Sequence, residues 1–444
     1  MSNVDFLTKQ LYASIDELIE NYQNYLTDDK NYFSRNRKLP LKTLIESILF
    51  MGANAIKDEL YDLFDFTNTP TTPAFVQQRK KLLHDAFKFL FELFNEKTYN
   101  SKNKLFKGYK LFAIDGSSVP ISHNPNDEDT YIKNHATNKS GIQIKGYNAF
   151  HLTASYDLLD HTYDDVVIQG EAHMNENDAF NMLVLRNKWD KSIFIGDRYF
   201  ECLNSFVHVM KTGKKYLVRV KDINSNGLLS SLPDQGSDEF DIDYQFIATI
   251  KQTKEVKIHK EKYKFMSTTS KFDHFENDYP FYPIDMRIVR IKLDEDKYES
   301  IITNLDRDKF STEDIKRLYE MRWGIETSFR ELKYAVGLNG FHAKRRESIK
   351  QEIYAKLLFY NFSERIIRKV KPRLSKKERK YVYAINSTRA FHNIRTYLKR
   401  KRGGQKPPDI ETLIVNDIEP IRPGRSDPRK VRKQSPVHFI YRLQ

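Results

Sequence analysis

A series of short apolar segments between residues 109 and 220 limits the folds that this chain can adopt. Three such segments come first, and two more follow, each after an amphipathic segment with helical spacing. The resulting order is strand, strand, strand, helix, strand, helix, strand. A run of strands followed by alternating helices and strands is typical of a sheet with both parallel and antiparallel neighbours. The region therefore predicts an α/β protein with a mixed sheet.

Two of the predicted strands end in an aspartate. Residues 111–114 are followed by Asp115, and residues 193–195 are followed by Gly196 and Asp197. In both cases a buried strand delivers a carboxylate into the turn that follows it. The Asp-Gly pair that begins at Asp115 is also typical of an ordinary turn. The two aspartates are therefore candidate site residues whose role depends on further groups.

A third candidate carboxylate, Glu326, lies in a segment that predicts a helix over residues 319–333. Ser311 and Asp314 form an N-terminal capping signal, and Gly337 predicts the end of the helix. At about 100° per residue, one narrow arc beside the apolar stripe contains Tyr319, Arg322, Glu326, Arg330 and Lys333. One carboxylate beside three cations and a phenol suits a site for a metal ion and a phosphate. Charges four residues apart are equally typical of solvated helix salt bridges.

The spacing of this segment is Tyr, two residues, Arg, three residues, Glu, six residues, Lys. It resembles the signature of the YREK subgroup of the DDE insertion-sequence transposases, which are related to the cut-and-paste transposases of bacterial composite transposons. The resemblance covers residues 109–333 and includes both strand-end aspartates in the required order. It implies a ribonuclease-H-like mixed-sheet catalytic core.

In this family three carboxylates carry out catalysis, and the resemblance assigns them to Asp115, Asp197 and Glu326. The same residues are then the ligands of two metal ions per active site, with Asp115 bridging both ions. Mg²⁺ is the expected ion because it prefers hard oxygen ligands, and Mn²⁺ is a possible substitute.

The resemblance also assigns Tyr319, Arg322 and Lys333 to DNA phosphates near the cleaved end. Arg330 lies on the same predicted face, and we include it among the DNA-binding residues. Some relatives form a hairpin on the transposon end, where an aromatic residue of an inserted segment stacks on a flipped base. Neither tryptophan of this chain lies in that interval, so Tyr298 is the candidate for the stacking role.

The sequence predicts five regions. In chain order they are a helical N-terminal domain (1–105), the first part of the core (106–221), a β-rich insertion (222–300), the second part of the core with the catalytic helix (301–370) and a basic C-terminal region (371–444). The insertion is inferred because the interval is far longer than a strand-to-helix connection needs. Its strand-like stretches include residues 256–258.

The N-terminal region offers a possible surface for DNA ends. Arg79, Lys80 and Lys81 follow a predicted helix start and would form a basic face on that helix. Side chains of this kind grip DNA in some proteins and only face water in others. The sequence leaves both interpretations open.

The basic excess of the chain lies at its C-terminal end. Residues 365–444 carry 23 Lys and Arg against 6 Asp and Glu, whereas the formal net charge of the whole chain is +14. Because Lys and Arg release counterions when they neutralise phosphates, the pattern favours DNA as a partner. A solvated tail is the alternative. We expect this tail, including residues 399–404 and 423–430, to be partly disordered without DNA.

These features together predict a DNA transposase that binds terminal inverted repeats, pairs two ends as a homodimer in a synaptic complex, cleaves them and joins them to target DNA. The alternatives are a nuclease of the same fold without strand transfer and a catalytically inactive DNA-binding protein on the same scaffold. The complete Tyr, Arg, Glu, Lys set argues against the first, and the three retained carboxylates argue against the second. The single cysteine, Cys202, excludes an intrachain disulfide. With no apparent signal peptide or membrane-spanning segment, we expect a cytoplasmic, nucleoid-associated protein without a membrane partner.

Overall fold

The computed structural model describes residues 2–421 except 29–30, 35–37, 65, 67, 100–103, 135–136, 138–140, 142, 144, 224, 268–269, 277–278, 296 and 371–380. The α-helices in these ranges are α1 (Asn3–Glu20), α2 (Leu41–Phe50), α3 (Ile56–Leu63), α4 (Thr72–Arg79), α5 (Asp85–Thr98), α6 (Glu176–Arg186), α7 (Leu203–Lys211), α8 (Lys254–Ile258), α9 (Thr312–Met321), α10 (Trp323–Tyr334), α11 (Arg346–Ile367), α12 (Ser387–Arg402) and α13 (Ile410–Asn416). The β-strands are β1 (Lys110–Ile121), β2 (Tyr131–Ile132), β3 (Tyr147–Asp157), β4 (Thr162–Gly170), β5 (Ser192–Gly196), β6 (Lys215–Val220), β7 (Phe240–Thr249), β8 (Tyr263–Phe265), β9 (Phe281–Asp294), β10 (Lys297–Thr303), β11 (Val382–Ile385) and β12 (Ile418–Ile421).

Five strands form the centre of a mixed sheet in the order β4, β3, β1, β5, β6. β3 runs antiparallel to β1 and to β4, whereas β5 is parallel to both β1 and β6. The antiparallel strands follow one another without an intervening α-helix, and α6 and α7 each lead from one strand into the next parallel one. This is the arrangement that hairpins and strand-helix-strand units produce. The predicted mixed α/β architecture is confirmed.

The first candidate aspartate does not end a strand, so this part of the prediction is wrong. β1 continues through Asp115 to Ile121, and Asp115 lies opposite Ala154 of β3. The parallel ladder between β1 and β5 stops at the pair of Ala113 and Ile195. Because β3 pairs with residues 112–121 of β1, the Asp-Gly dipeptide stays extended and does not turn. Asp115 therefore lies two residues past the end of the parallel ladder, at an open position of the sheet.

The segment between β6 and β10 extends the same sheet. β10 pairs with β6 on one side and with β9 on the other, and β7 and β8 follow outward. The strand predicted over residues 256–258 is wrong, because these residues belong to the short helix α8. The Thr253 hydroxyl accepts a hydrogen bond from the Val256 N–H and caps this helix.

The N-terminal helices share one hydrophobic core with the sheet. α11 packs against α1, α2 and α5 and also against β4. Residues from all these regions are fully buried in one cluster, among them Leu44, Phe91, Leu217 and Ile353. Burial of apolar surface on this scale is the main stabilising contribution to such a fold. Within the described ranges, no helix combines the length and apolar character needed to span a membrane.

Arg79 is not part of a DNA-facing surface, which corrects one prediction for the N-terminal region. Its side chain is 2% exposed and donates hydrogen bonds of 2.8 Å to Gln351 Oε1 and 2.7 Å to Glu352 Oε1. Both acceptors belong to α11, so Arg79 connects the end of α4 to the central helix. Lys80 is exposed and Lys81 is half-buried.

The basic run at the end of α12 is ordered, contrary to the prediction for residues 399–404. Lys399 Nζ lies 2.9 Å from Glu59 Oε2, and Arg402 Nε lies 3.3 Å from Glu46 Oε2. The carboxylates of the N-terminal helices therefore neutralise part of the C-terminal charge. The second predicted basic run, residues 423–430, lies outside the described residues.

Candidate active site

The strand arrangement brings Asp115 and Asp197 to the same edge of the sheet. Asp115 follows the last parallel pair of β1, and Asp197 directly follows β5, the parallel neighbour of β1. The Asp115 carboxylate accepts a 2.9 Å hydrogen bond from the Gly116 N–H. Asp197 caps a 3₁₀ turn by accepting a 2.9 Å hydrogen bond from the Tyr199 N–H. Carboxyl ends of adjacent parallel strands are the usual place for the functional groups of an α/β sheet.

Glu326 lies in the first turn of α10 and is bound by Arg322. Arg322 Nη2 donates a 2.8 Å hydrogen bond to Glu326 Oε1. The predicted helix over residues 319–333 is interrupted at Arg322, where the backbone N–H bonds to the carbonyl three residues earlier. The predicted capping box of Ser311 and Asp314 is present at the start of α9.

The three carboxylates act on one another electrostatically. Burial raises the pKa of Asp115 to about 7, and the negative charges of Asp197 and Glu326 add to this effect. The Gly116 N–H and the Arg322 guanidinium oppose it. The raised pKa means that a carboxylate at this position is costly unless positive charge approaches it. The sheet edge beside Asp115 is therefore a location that favours a cation.

The side chains at this edge are of the types that bind a divalent ion, but they are not arranged around a common point. Asp115, Asp197 and Glu326 are hard oxygen ligands of the kind that Mg²⁺ prefers. In the part of the chain that the structure describes, no three His, Cys, Asp or Glu side chains converge closely enough to hold a metal ion as they stand. The hydrogen bond from Arg322 is made to Glu326 Oε1, so an ion shared with Asp115 would bind Glu326 through its other carboxylate oxygen.

Tyr319 and Arg322 are largely enclosed by protein. Tyr319 is 4% exposed, and so is Arg322. The guanidinium of Arg322 lies 5.0 Å from the ring centroid of Trp323, which is 53% exposed. The Arg322 Nε atom is buried and has no hydrogen-bond partner among the described residues. Arg322 is therefore enclosed beside Glu326, and the exposed ring of Trp323 lies against its guanidinium.

Lys333 connects α10 to the strand that carries Asp115. Its ammonium donates a 2.9 Å hydrogen bond to the Ser118 carbonyl of β1. The Ser118 hydroxyl donates a 2.6 Å hydrogen bond to Glu171 Oε1. Burial lowers the pKa of Lys333, and the charges of Glu171 and Asp115 oppose that effect. Lys333 thus helps to fix the distance between the helix of Glu326 and the strand of Asp115.

A buried histidine beside the site was missed in the sequence. His151 lies opposite Ser118 on β3, and its ring nitrogens are 3.3 Å from Glu171 Oε2 and 2.5 Å from Glu176 Oε1. Burial lowers the pKa of His151, but the two glutamates outweigh it and raise the pKa to about 9. A β-carbon added to Gly116 would meet both His151 and Glu176. No spacing rule connects these residues, because they come from β1, β3, the turn after β4 and α6.

The structure does not bring the two remaining predicted residues to the carboxylates. Arg330 is exposed on α10. Tyr298 lies on β10, where the Arg290 guanidinium is 3.8 Å from its ring centroid and its hydroxyl donates a 3.2 Å hydrogen bond to Asp238 Oδ2. One face of the Tyr298 ring is therefore already covered by a cation.

Comparison with known proteins identifies a family for this chain. The family of transposase DDE domains matches residues 93–362. Over 57 residues, the chain is 39% identical to InsL, a transposase of insertion sequence element IS186A from Escherichia coli strain K12, and to the transposase of insertion sequence element IS421 from Escherichia coli. These alignments cover 13% of this chain and only 15% of each curated relative.

A solved structure aligns with the chain at low similarity. It is the cryo-EM structure of a piggyBac transposase synaptic complex with hairpin DNA, with a TM-score of 0.41 and 12% sequence identity. The alignment covers 95% of this chain and 84% of that chain. The family match is the stronger finding, because it spans more than half of the chain and contains Asp115, Asp197 and Glu326. The predicted relationship to insertion-sequence transposases is thereby confirmed, and the chain belongs to the family of transposase DDE domains.

Proposed function

We propose that this protein is a DNA transposase that cleaves phosphodiester bonds at the ends of its element and joins those ends to target DNA. The proposal is carried by the placement of Asp115 and Asp197 beside the adjacent parallel strands β1 and β5, together with the hydrogen bond that joins the helix of Glu326 to β1. Phosphoryl transfer needs stabilisation of negative charge on the attacking and leaving oxygens. Three carboxylates that could hold cations suit this reaction.

The three carboxylates would hold two divalent ions, with Asp115 shared between them and Mg²⁺ preferred over Mn²⁺. Bound ions of this kind activate the attacking oxygen and stabilise the leaving oxygen. Arg322 orients Glu326 through its 2.8 Å hydrogen bond. Lys333 holds α10 against β1, so that Glu326 stays beside the strand of Asp115.

Contacts to DNA are proposed for the same helix and its surroundings. The hydroxyl of Tyr319, the guanidinium of Arg322 and the ammonium of Lys333 would bind phosphates near the cleaved end, as in the YREK subgroup. Because Tyr319 and Arg322 are 4% exposed, these contacts require DNA to reach the bottom of the site. Arg330, which is exposed, would bind phosphates farther from the site. Tyr298 would stack on a base only after the Arg290 guanidinium has moved away from the face of the Tyr298 ring.

The proposed partners are duplex DNA and a second copy of the chain. Terminal inverted repeats and target DNA would be the two DNA substrates, and a homodimer would pair the two ends. In the N-terminal region, Lys80 remains an exposed candidate for contacts to the repeats. The ribonuclease-H-like core would comprise β1, β3, β4, β5 and β6 with α6, α7 and α10.

The deciding experiment is Mg²⁺-dependent cleavage of a duplex that carries the terminal repeats flanking the gene. Wild type and the Asp115→Asn variant are compared, because asparagine keeps the size of the side chain and removes its charge. Cleavage at the repeat boundary by the wild type alone, followed by joining to a second duplex, is the expected result. Cleavage without joining would show that the protein is a nuclease. Binding without cleavage would show that it is a catalytically inactive DNA-binding protein.

A further inference from the structure

A cleft of about 730 Å³ opens beside the candidate active site. One wall is formed by the N-terminal ends of α6 and α7, and the opposite wall by α8, β8 and the residues between them. Asn175 precedes Glu176, whose carboxylate lies 2.5 Å from His151. Cys202 immediately precedes α7, five residues after Asp197. The cleft is therefore lined by residues that are close in the chain to Asp197 and to the partner of His151.

The outer wall of the cleft is basic. Lys257 and Lys260 are exposed, and no ion pair of either is recorded among the described residues. Lys264 lies 4.7 Å from the ring centroid of Phe246, and burial lowers its pKa to about 8. These ammonium groups present a positive surface of the kind that binds phosphate oxygens.

Among the described residues, the acidic side chains of the cleft form no ion pair with Lys257 or Lys260. Asp178 Oδ1 lies 3.2 Å from the ammonium of Lys271. Glu201 accepts hydrogen bonds from the backbone N–H groups of Lys221 and Leu228. Burial lowers the pKa of Lys264, and the charge of Glu201 opposes this effect. Lys257 and Lys260 therefore remain available to a ligand.

The inner wall offers amide groups that lack partners. Asn181 is 6% exposed, and its Oδ1 atom has no hydrogen bond within the described part of the chain. The Oδ1 atom of Asn177 is also buried and has no hydrogen bond to another described residue. A buried acceptor without a partner is rare in folded proteins and indicates that a donor is supplied from outside. α7 adds open backbone N–H groups, since Cys202 does not cap it through its side chain.

A nucleotide combines the two chemistries that this cleft can recognise. Its phosphate matches the lysines and the open end of α7, and the edge of its base carries N–H donors that match asparagine amides. We propose that the cleft binds one nucleotide of a DNA strand close to the phosphate that is attacked, with the phosphate at Lys257 and Lys260 and the base edge at Asn177 and Asn181. This inference rests on the proposed function and assigns a place to the strand next to the reacting bond.

The single cysteine of the chain makes the proposal testable without catalysis. Cys202 is half-buried in the wall of the cleft, and its reaction with Ellman's reagent reports access to that wall. The rate is measured in EDTA, with and without saturating terminal-repeat DNA, after fluorescence anisotropy has shown binding. Bound DNA should slow the labelling about tenfold or more, whereas deoxyadenosine monophosphate at equal nucleotide concentration should not.

A pair of double variants tests the role of the lysines. K257A/K260A removes two exposed cations of the cleft, and K251A/K254A removes two exposed cations of the same segment that do not line it. K257A/K260A should abolish most of the protection and lower the salt dependence of DNA binding by roughly 0.9 in log–log slope, the value for one phosphate that is no longer neutralised. K251A/K254A should leave both quantities near those of the wild type.

Three outcomes would overturn the assignment. If Cys202 were labelled at an unchanged rate in a protein that binds and cleaves DNA, the DNA strand would not occupy the cleft. The proposed transposase function would be unaffected by this result. Equal effects of the two double variants would show a diffuse electrostatic attraction instead of a site. Protection by the mononucleotide alone would indicate a site for free nucleotides. A protein that neither binds nor cleaves the repeats would instead refute the proposed function itself.

Discussion

Arg322 Nη2 donates a 2.8 Å hydrogen bond to Glu326 Oε1, one helical turn farther along the chain. The donor is 4% exposed, whereas the acceptor is about one-third exposed. A buried cation thus fixes the position of the one candidate carboxylate that a helix supplies. The same guanidinium lowers the pKa of Asp115 against the effects of burial and of Asp197. Arg322 therefore acts on two of the three carboxylates at once.

The first prediction concerns Arg322→Lys. The lysine keeps the charge but loses the directed contact that orients Glu326. A hydrogen bond between charged groups contributes about 1.5–3 kcal/mol, which corresponds to roughly a ten- to hundredfold lower cleavage rate. The measurement is single-turnover cleavage of repeat DNA. Arg317→Lys is the matched control, since Arg317 is exposed on α9 and is not among the proposed DNA contacts. Equal losses in the two variants would contradict the orienting role.

The second prediction concerns Gly116→Ala. The new β-carbon would lie 2.5 Å from His151 Nε2 and even closer to Glu176 Oε1, so both side chains would have to move. Overpacking of this kind costs about 1–3 kcal/mol, and the displacement occurs next to Asp115. We expect cleavage to fall at least as strongly as stability, as followed by thermal unfolding. Gly340→Ala serves as the control, because its β-carbon would make only an ordinary 3.6 Å contact. A fully active Gly116→Ala protein would show that this contact does not matter for the site.

The third prediction concerns Arg79→Met. The change leaves the buried Glu352 carboxylate without its 2.7 Å ion pair. Breaking a buried pair from one side costs about 3–5 kcal/mol, and urea unfolding should show a loss of this size. Lys80→Met, an exposed neighbour, should change the stability by less than about 0.5 kcal/mol. If Arg79→Met retained its stability and lost DNA binding, the DNA-facing interpretation of Arg79 would be right after all.

The fourth prediction is a pH dependence of stability that arises from Glu59. Burial raises the pKa of Glu59, but Lys399 and the backbone N–H groups of Gly52 and Asn54 outweigh it and lower the pKa to about 2. A lowered pKa stabilises the fold above the unfolded value near 4.5, and this contribution is lost as the pH falls towards 2. The difference in unfolding free energy between wild type and Glu59→Gln should therefore shrink by about 2 kcal/mol from pH 6 to pH 3.

Urea unfolding at the two pH values measures this difference. Asp62→Asn is the control, because Asp62 is 49% exposed and lies 3.5 Å from the same ammonium of Lys399. A surface pair of this kind contributes little, so its pH dependence should be small. A constant difference for Glu59→Gln across the range would mean that the ion pair of Glu59 does not stabilise the fold.

Local sequence signals predicted the elements that are built from neighbouring residues. The capping signal at Ser311 and Asp314 and the alternation of strands and helices around β5 both depend on contacts a few residues apart. The family followed from the spacing of four side chains around Glu326. These features could be predicted because the hydrogen bonds of a helix turn and the burial of a strand depend on residues that are close together in the sequence.

The extended path of β1 through Asp115 could not be predicted in this way. The Asp-Gly pair favours a turn, and only the pairing with β3, about 40 residues later, keeps it straight. Arg79 was misplaced for a similar reason. Its partners are more than 270 residues away on α11, and no local pattern distinguishes a buried ion pair from a basic surface.

By itself, the sequence determined the mixed α/β class, the family and the identity of the three candidate carboxylates, because spacing and apolar periodicity are local properties. Only the tertiary structure decided that Asp115 lies within a continuous strand, that Lys333 joins α10 to β1, and that His151 and Glu176 pack against Gly116. These relationships join residues from different elements. They depend on which strands pair and which faces pack, and that is settled by the lowest free energy of the whole chain rather than by any single segment.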